Sequence, residues 1–178
     1  MPRIAPLEPP FDEQSAAAIE ALGPPIGLFR LLARRPARAR GIQGWGRYYL
    51  SRQSALSLRH RELVIDRTTA LCGAEYEWGV HVAVFADKAG LTRAQIRSLA
   101  DGEAGDACWT EPSDRAVIRA VDALHVNSDL DDDEVVDLLL LCGWYHSISY
   151  VARAVRLLRE PNTPSLPTVP RGRREATR

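Results

Sequence analysis

The sequence contains no two cysteines close enough together to form a dithiol redox site or half of a zinc site. Its three cysteines, Cys72, Cys108 and Cys142, are odd in number and widely spaced, which argues against a disulfide framework. We therefore expect three reduced thiols in a cytoplasmic protein. His60 and His81 do not have the spacing of a zinc-binding helix either, so we expect no metal site.

An excess of positive or negative charge is also missing, and so are long apolar runs. Among the 178 residues, Lys+Arg and Asp+Glu both number 23, so the formal net charge is zero. A chain without net charge has no strong field that attracts nucleic acid or an anionic membrane surface. No apolar run reaches membrane-spanning length, and the N-terminus lacks the apolar core of a signal peptide. We predict a soluble protein that binds neither nucleic acid nor a membrane.

Two common sequence motifs of enzymes are absent as well. There is no Gly-x-Gly-x-x-Gly run or phosphate-binding loop, since Gly41, Gly44 and Gly46 do not have that spacing. There is no Gly-x-Ser-x-Gly elbow of the serine hydrolases. The sequence therefore indicates neither a phosphate-binding loop of these kinds nor a serine-hydrolase nucleophile.

Helical periodicity runs through most of the chain, and alternating apolar and polar strands are absent. This pattern predicts an all-α fold, a compact bundle of roughly seven to eight helices. We expect an extended proline-rich arm over 1–11, a single helical domain over 12–160, and a Pro/Arg-rich tail over 161–178.

Capping residues and breakers set the expected helix limits. Ser57 and Ser113 are predicted N-caps, and Thr92 with Gln95 forms a predicted capping box. Gly143 either kinks the last helix or marks a close helix contact. The expected helices span about 12–22, 28–35, 37–50, 57–72, 75–89, 92–99, 113–126 and 131–158.

Proton-transfer groups are concentrated in the segment 61–81. Glu77 and His81 are four residues apart, so on a helix they lie on one face within reach of each other. Glu62 comes one helical segment earlier. Two carboxylates and an imidazole in an apolar setting are suited to general acid–base catalysis near neutral pH. The alternative interpretation is a surface ion pair, which contributes little.

Substrate contacts are assigned more broadly, to Tyr76, Trp78, Trp45, His146 and Cys72. For two of these residues a structural role is the alternative. A single histidine on an apolar helix, such as His146, is more often a hydrogen-bonded core residue. Cys72 is a reactive thiolate if the next helix lowers its pKa, and otherwise a buried apolar residue.

Three short sequence segments resemble those of a known superfamily. They are Arg61-Glu-Leu-Val-Ile65, Cys72-Gly-Ala-Glu-Tyr-Glu-Trp-Gly-Val-His81 and Ala89-Gly-Leu-Thr-Arg-Ala-Gln-Ile96. Because of these segments, the region 26–159 resembles the carboxymuconolactone decarboxylase and alkylhydroperoxidase-like proteins. The resemblance implies a helical fold of the alkylhydroperoxidase-like type.

The resemblance also shows where this chain departs from its superfamily. The peroxidase members have a glutamate followed by Cys-x-x-Cys-x-x-x-His. Glu62 and His81 match that glutamate and histidine, but the cysteine positions fall on Ala74 and Glu77. A dithiol cycle needs both an attacking and a resolving thiol. We therefore expect acid–base chemistry in place of dithiol peroxidase activity.

The resemblance thus implies a lyase that acts on a small organic acid or lactone without a cofactor. In this scheme His81 donates the proton, Glu77 positions the His81 side chain and Glu62 completes the proton relay. A substrate carboxylate would be held by Arg47, Arg61 or Arg67. The alternatives are a peroxidase or peroxiredoxin activity through a single cysteine, and a protein that binds a small ligand without catalysis.

The apolar segment 130–158 and the superfamily resemblance both favour a homo-oligomer. We expect a trimer or a trimer-based hexamer, with a dimer as the second choice.

Overall fold

The computed structural model describes residues 2–126 and 133–167, without the side chains of Val126 and of 133–139. These residues form eight α-helices and no strand, which confirms the all-α prediction. The helices are α1 Glu13–Leu22, α2 Gly27–Leu32, α3 Pro36–Tyr49, α4 Leu58–Leu71, α5 Glu75–Phe85, α6 Arg93–Asp101, α7 Pro112–Val126 and α8 Asp133–Ala154. None of the described helices combines the length and the apolar character needed to cross a membrane.

Helix α4 lies at the centre of the bundle. It packs against α5, α6, α7 and α8, and every residue from Arg61 to Ala70 is buried. Its first turn is capped as predicted, because the Ser57 side chain accepts a hydrogen bond from the His60 amide. A helix covered on all sides keeps its charged side chains away from water, so these side chains need partners or must lose their charge.

A tight turn after α4 brings α5 back against it. Gly73 has a φ of 60°, a left-handed conformation that favours glycine. The Ala74 amide donates to the Thr69 carbonyl and the Gly73 amide donates to the Ala70 carbonyl, the two hydrogen bonds of a Schellman motif. The turn places the first half of α4 opposite α5, which is where the predicted acid–base residues lie.

Several helix limits differ from the predictions. Helices α2 and α8 end at Leu32 and Ala154, three and four residues before the predicted ends at 35 and 158. Helix α5 ends at Phe85, four residues before the predicted end, because a turn follows in which the Leu91 amide donates to the Ala86 carbonyl. Helix α7 begins before Ser113, so the prediction of Ser113 as its cap is wrong. Pro112 occupies the first helical position, where the missing amide hydrogen of proline costs nothing.

The capping box of α6 is confirmed, with the Thr92 and Gln95 side chains bonded to each other's backbone amides. Helix α8 continues through Gly143 without a break. No described atom lies within 4 Å of the position that a Cβ on Gly143 would take. Of the two roles predicted for Gly143, the close contact with another helix is therefore not found among the described residues.

The proline-rich N-terminal arm packs on helices of its own chain. The Arg30 guanidinium donates to the Leu7 carbonyl at 2.9 Å, and the Arg3 amide donates to the Val155 carbonyl. These bonds hold the arm against α2 and the end of α8.

The described part of the C-terminal tail also lies on its own chain. The Glu160 carboxylate accepts hydrogen bonds from the Gly27 amide and the Tyr76 hydroxyl. A Cβ on Gly79 would sit 2.8 Å from the Pro164 carbonyl oxygen, so only glycine permits this approach of the tail to α5. The arginine-rich end of the predicted tail, from residue 168, lies outside the described residues.

Candidate functional site

A cavity of about 520 Å³ lies between α2, α3, α5 and α8. This volume is within the usual range for a site that binds a small molecule. Most of its wall is apolar, and Glu77, His81 and Tyr145 are among its few polar members. The apolar wall includes Leu28, Phe29, Leu32, Ile42, Val80, Val84, Phe85, Trp144 and Ile148.

His81 is held between two polar groups from different helices. Its Nδ1 lies 2.9 Å from Glu62 Oε2, and its Nε2 lies 2.8 Å from the Tyr145 hydroxyl. All three side chains are buried. A carboxylate opposite Nδ1 favours a proton on that nitrogen, so in the neutral imidazole Nε2 accepts from the phenol. The structure thus forms a Glu62–His81–Tyr145 chain of hydrogen bonds that ends at the cavity.

Glu62 is fully buried and has a cationic partner on its other side. The Arg61 Nε donates to Glu62 Oε1 at 3.2 Å, and the same guanidinium donates to the Tyr49 carbonyl at 3.0 Å. Partners on both oxygens allow a carboxylate to stay ionised in the interior. Glu62 therefore links the Arg61 guanidinium to the imidazole of His81.

The pKa of His81 is raised above its ordinary value. Burial lowers this pKa, but the hydrogen bond and the charge of Glu62, with smaller effects of Glu77 and Asp66, raise it by more. The Glu62 carboxylate therefore favours the imidazolium form more than in an ordinary histidine, and in that form Nε2–H donates to the Tyr145 oxygen.

Glu77 faces the same cavity, but it does not hold the imidazole. Its Oε1 has no hydrogen-bond partner among the described residues, whereas the ring nitrogens of His81 bond to Glu62 and Tyr145. Burial raises the pKa of Glu77 to about 7, against a smaller lowering by the charge of His81. The expected positioning of His81 by Glu77 is thus corrected. Glu77 is a carboxyl group that can gain or lose a proton near neutral pH.

Asp66 is a polar member of this region that sequence reasoning missed. It lies four residues after Glu62 on α4 and is buried, and neither of its carboxyl oxygens has a hydrogen-bond partner among the described residues. Burial raises the pKa of Asp66 well above its usual value; the charge of His81 lowers it and that of Glu62 raises it further. Burial without a hydrogen-bond partner therefore disfavours the ionised form of Asp66. The i, i+4 spacing from Glu62 was the signal that could have found it.

Two residues assigned to substrate binding lie away from the cavity. The Tyr76 hydroxyl accepts a hydrogen bond from the Leu28 amide and donates to Glu160, while Trp78 is buried. Neither is part of the cavity wall. Neighbouring residues of a helix point about 100° apart, so the positions on either side of Glu77 face different elements. The structure places both side chains outside the wall of this cavity, and the hydrogen bonds of Tyr76 join α2, α5 and the tail.

Cys72 and His146 are also outside the cavity wall. Cys72 is the buried C-cap of α4, where burial raises the pKa of its thiol. His146 follows Tyr145 on α8 and points to another side, with its Nδ1 2.9 Å from the Cys142 carbonyl oxygen. Neither residue is placed to contact a ligand in the cavity. The hydroxyl-bearing residue of this helix that does line the cavity is Tyr145, which was not among the predicted site residues.

The edge of the cavity contains a cation and an aromatic pair. Of the three arginines considered for a substrate carboxylate, only Arg47 lines the cavity, and its side chain is exposed. Arg61 is bonded to Glu62, and Arg67 is bonded to Asp122. Trp45 is not in the cavity wall. It contacts Trp144, a residue of the wall, with 5.7 Å between the two ring centroids.

Comparison with known proteins agrees with the superfamily resemblance that the three sequence segments indicate. The sequence pattern of the carboxymuconolactone decarboxylase family matches residues 37–123. The match includes Glu62, Glu77 and His81, but it ends before α8 and therefore does not include Tyr145. Comparisons with curated proteins and with solved structures gave no significant match.

Proposed function

We propose that this protein is an enzyme that transfers a proton to or from a small organic acid or lactone. The match of residues 37–123 to the sequence pattern of the carboxymuconolactone decarboxylase family supports this proposal. The observation that carries this proposal is the position of Glu77, a buried carboxyl with a pKa of about 7. It faces the same apolar cavity as the His81–Tyr145 pair. An acid–base group with a pKa near the working pH is the requirement of such a reaction, and the proposed chemistry uses no cofactor.

The reaction that fits these groups best is a decarboxylation. The bond between a ring carbon and its carboxylate breaks, carbon dioxide leaves, and the electron pair passes into the conjugated lactone carbonyl. The Tyr145 hydroxyl donates a hydrogen bond to the developing enolate oxygen, while the His81 imidazolium donates to the Tyr145 oxygen. Protonated Glu77 then transfers its proton to carbon and regains one from water. Arg47 at the edge of the cavity attracts the anionic substrate.

The single-cysteine peroxidase is less well supported by the same structure. Such an activity needs an accessible thiolate. Cys72 is buried, lies outside the cavity wall, and has a thiol pKa that burial raises. These observations oppose the thiolate form and favour the acid–base proposal.

The test is to incubate the protein with a panel of carboxylated unsaturated lactones in deuterated buffer. We expect carbon dioxide release together with deuterium at the protonated carbon, and a rate that falls by about a hundredfold or more in Glu77→Gln and His81→Gln. Glu75→Gln is the matched control, because Glu75 lies on the same helix with an exposed side chain. Ligand binding without turnover in the wild type would instead support the non-catalytic alternative. Turnover that persists in both variants would refute the assigned roles.

A further inference from the structure

A second group of metal-ligating side chains lies outside the cavity, where the end of α4 meets α7 and α8. The Cys72 Sγ, one ring nitrogen of His125 and one of His146 all lie within 4.8 Å of one another. His125 Nδ1 and His146 Nε2 are 3.2 Å apart. The three residues belong to separate parts of the chain, so no ligand spacing in the sequence predicts the cluster.

The distances suit a tetrahedral metal ion. Bonds of about 2.0–2.1 Å to nitrogen and 2.3 Å to sulfur place neighbouring ligand atoms roughly 3.3–3.6 Å apart. The two imidazole nitrogens already have nearly this separation. Cys72 is buried, His146 is partly buried and His125 is exposed, so the cluster extends from the interior to the surface, and an ion can reach it from that side.

The tautomer of His146 provides an independent indication. Its Nδ1 lies 2.9 Å from the Cys142 carbonyl oxygen, to which it donates a hydrogen bond. The proton on Nδ1 leaves the Nε2 lone pair directed at the cluster. Metal-binding histidines are commonly held in this way by a backbone carbonyl.

We propose that Cys72, His125 and His146 form a binding site for a divalent cation of the zinc type. One thiolate and two imidazoles are a donor set of borderline softness, which suits zinc and disfavours magnesium and calcium. Three protein ligands leave the fourth position for water or another ligand. Binding displaces the proton of the Cys72 thiol, so affinity rises with pH. The site differs in residues and in location from the acid–base cavity.

The test uses cobalt(II) as a spectroscopic probe on the full-length protein after treatment with a chelator. We expect a thiolate-to-cobalt charge-transfer band in the near ultraviolet that saturates at one ion per chain, and competition by zinc. Cys72→Ser should abolish this band. His125→Gln should weaken zinc binding by roughly a hundredfold, as the loss of one of three ligands implies.

Two variants serve as matched controls. Cys108→Ser removes a thiol outside the cluster, and His60→Gln removes an imidazole that lies beside Asp114. Both should bind cobalt and zinc like the wild type. His125 is exposed, so its replacement leaves the core intact and the test remains valid if Cys72→Ser does not fold. Absence of the cobalt band, its persistence in Cys72→Ser, or equal zinc affinity of His125→Gln and His60→Gln would overturn the proposal.

Discussion

The Tyr145 hydroxyl lies 2.8 Å from Nε2 of His81. This contact joins α8 to the α4–α5 pair and completes the hydrogen-bond chain that begins at Glu62. Tyr145 lies outside the residues that match the family pattern, 37–123. A part of the chain beyond the matched segment therefore supplies a group that faces the proposed substrate.

Replacement of Tyr145 by phenylalanine should remove the hydroxyl and keep the ring contact with His81, whose centroid is 5.1 Å away. We expect kcat to fall by about a hundredfold or more, because the enolate oxygen loses its donor. Stability should fall by only about 1 kcal/mol, the usual contribution of one hydrogen bond. The control is Tyr76→Phe, which removes a buried hydroxyl outside the cavity. Equal loss of kcat in both variants would show that the effect is structural.

The stability of the protein should depend on pH through Glu77. Its pKa is about 7 in the folded state against an ordinary value of 4.5, so between these values the folded state keeps a proton that the unfolded state loses. The free energy of unfolding should therefore fall as pH rises from 4.5 to 7, by about 3 kcal/mol from this group alone. Glu77→Gln imitates the protonated carboxyl and should lack this contribution. Urea unfolding of both proteins at a series of pH values checks this, and parallel pH profiles would contradict it.

Replacement of Glu62 by glutamine should lower the pKa of His81, because the carboxylate is the main cause that raises it. A raised histidine pKa stabilises the folded protein below the unfolded value of 6.5, and this stabilisation is lost as pH rises through the folded pKa. The variant should lose this stabilisation, and loss of the Arg61–Glu62 ion pair should cost about 3 kcal/mol more. Histidine titration by NMR, with unfolding curves, measures both effects. Glu75→Gln should leave the His81 titration unchanged, and an unchanged His81 pKa in Glu62→Gln would contradict the assignment.

Arg47→Ala should raise KM for an anionic substrate by about tenfold, as the loss of a hydrogen bond to a charged group implies. The effect on kcat should be small, because Arg47 lies at the edge of the cavity. Arg40→Ala is the control, since Arg40 is exposed on the same helix but is not in the cavity wall. Steady-state kinetics at two salt concentrations provide the measurement. If both variants show the same KM, the assignment of Arg47 fails.

We propose that the protein is a homo-oligomer, a trimer or a trimer-based hexamer, with a dimer as the second choice. On α8, Leu141 and Tyr145 are used in the subunit's own core, but Leu140 and Tyr150 are exposed, Tyr150 by 62%. The neighbouring side chains of 133–139 lie outside the described residues. Exposed apolar side chains on a helix commonly mark an interface.

Light scattering at low micromolar concentration should therefore give a mass that is a multiple of 19.7 kDa. Tyr150→Glu should shift the assembly toward the monomer, while Glu13→Gln on the exposed side of α1 should leave it unchanged. A wild-type protein that is monomeric and fully active would contradict the proposal.

Most helix limits could be predicted because they depend on neighbouring residues. Ser57 and Thr92 cap their helices through hydrogen bonds that span three residues, and such contacts are visible in the sequence. Predictions failed where a local signal had a competitor, as at Ser113, where Pro112 takes the first helical position.

For the candidate site, local spacing sufficed to place Glu77 and His81 on one helix. It did not show that Glu62 and Tyr145 are the partners of the imidazole, because these contacts span 19 and 64 residues. Spacing also could not tell which neighbours of Glu77 face the cavity, and Tyr76 and Trp78 do not.

The helical class, the match to the family pattern and the acid–base residues of α4 and α5 thus follow from the order of residues, because periodicity, caps and motifs are local properties. The pKa of Glu77, the raised pKa of Asp66 and the approach of Tyr145 to His81 depend on burial and on contacts between distant helices. Burial is a property of the packed chain, and a carboxyl group loses its water only when several helices close around it. The tertiary structure therefore decides which of these groups can exchange a proton near neutral pH.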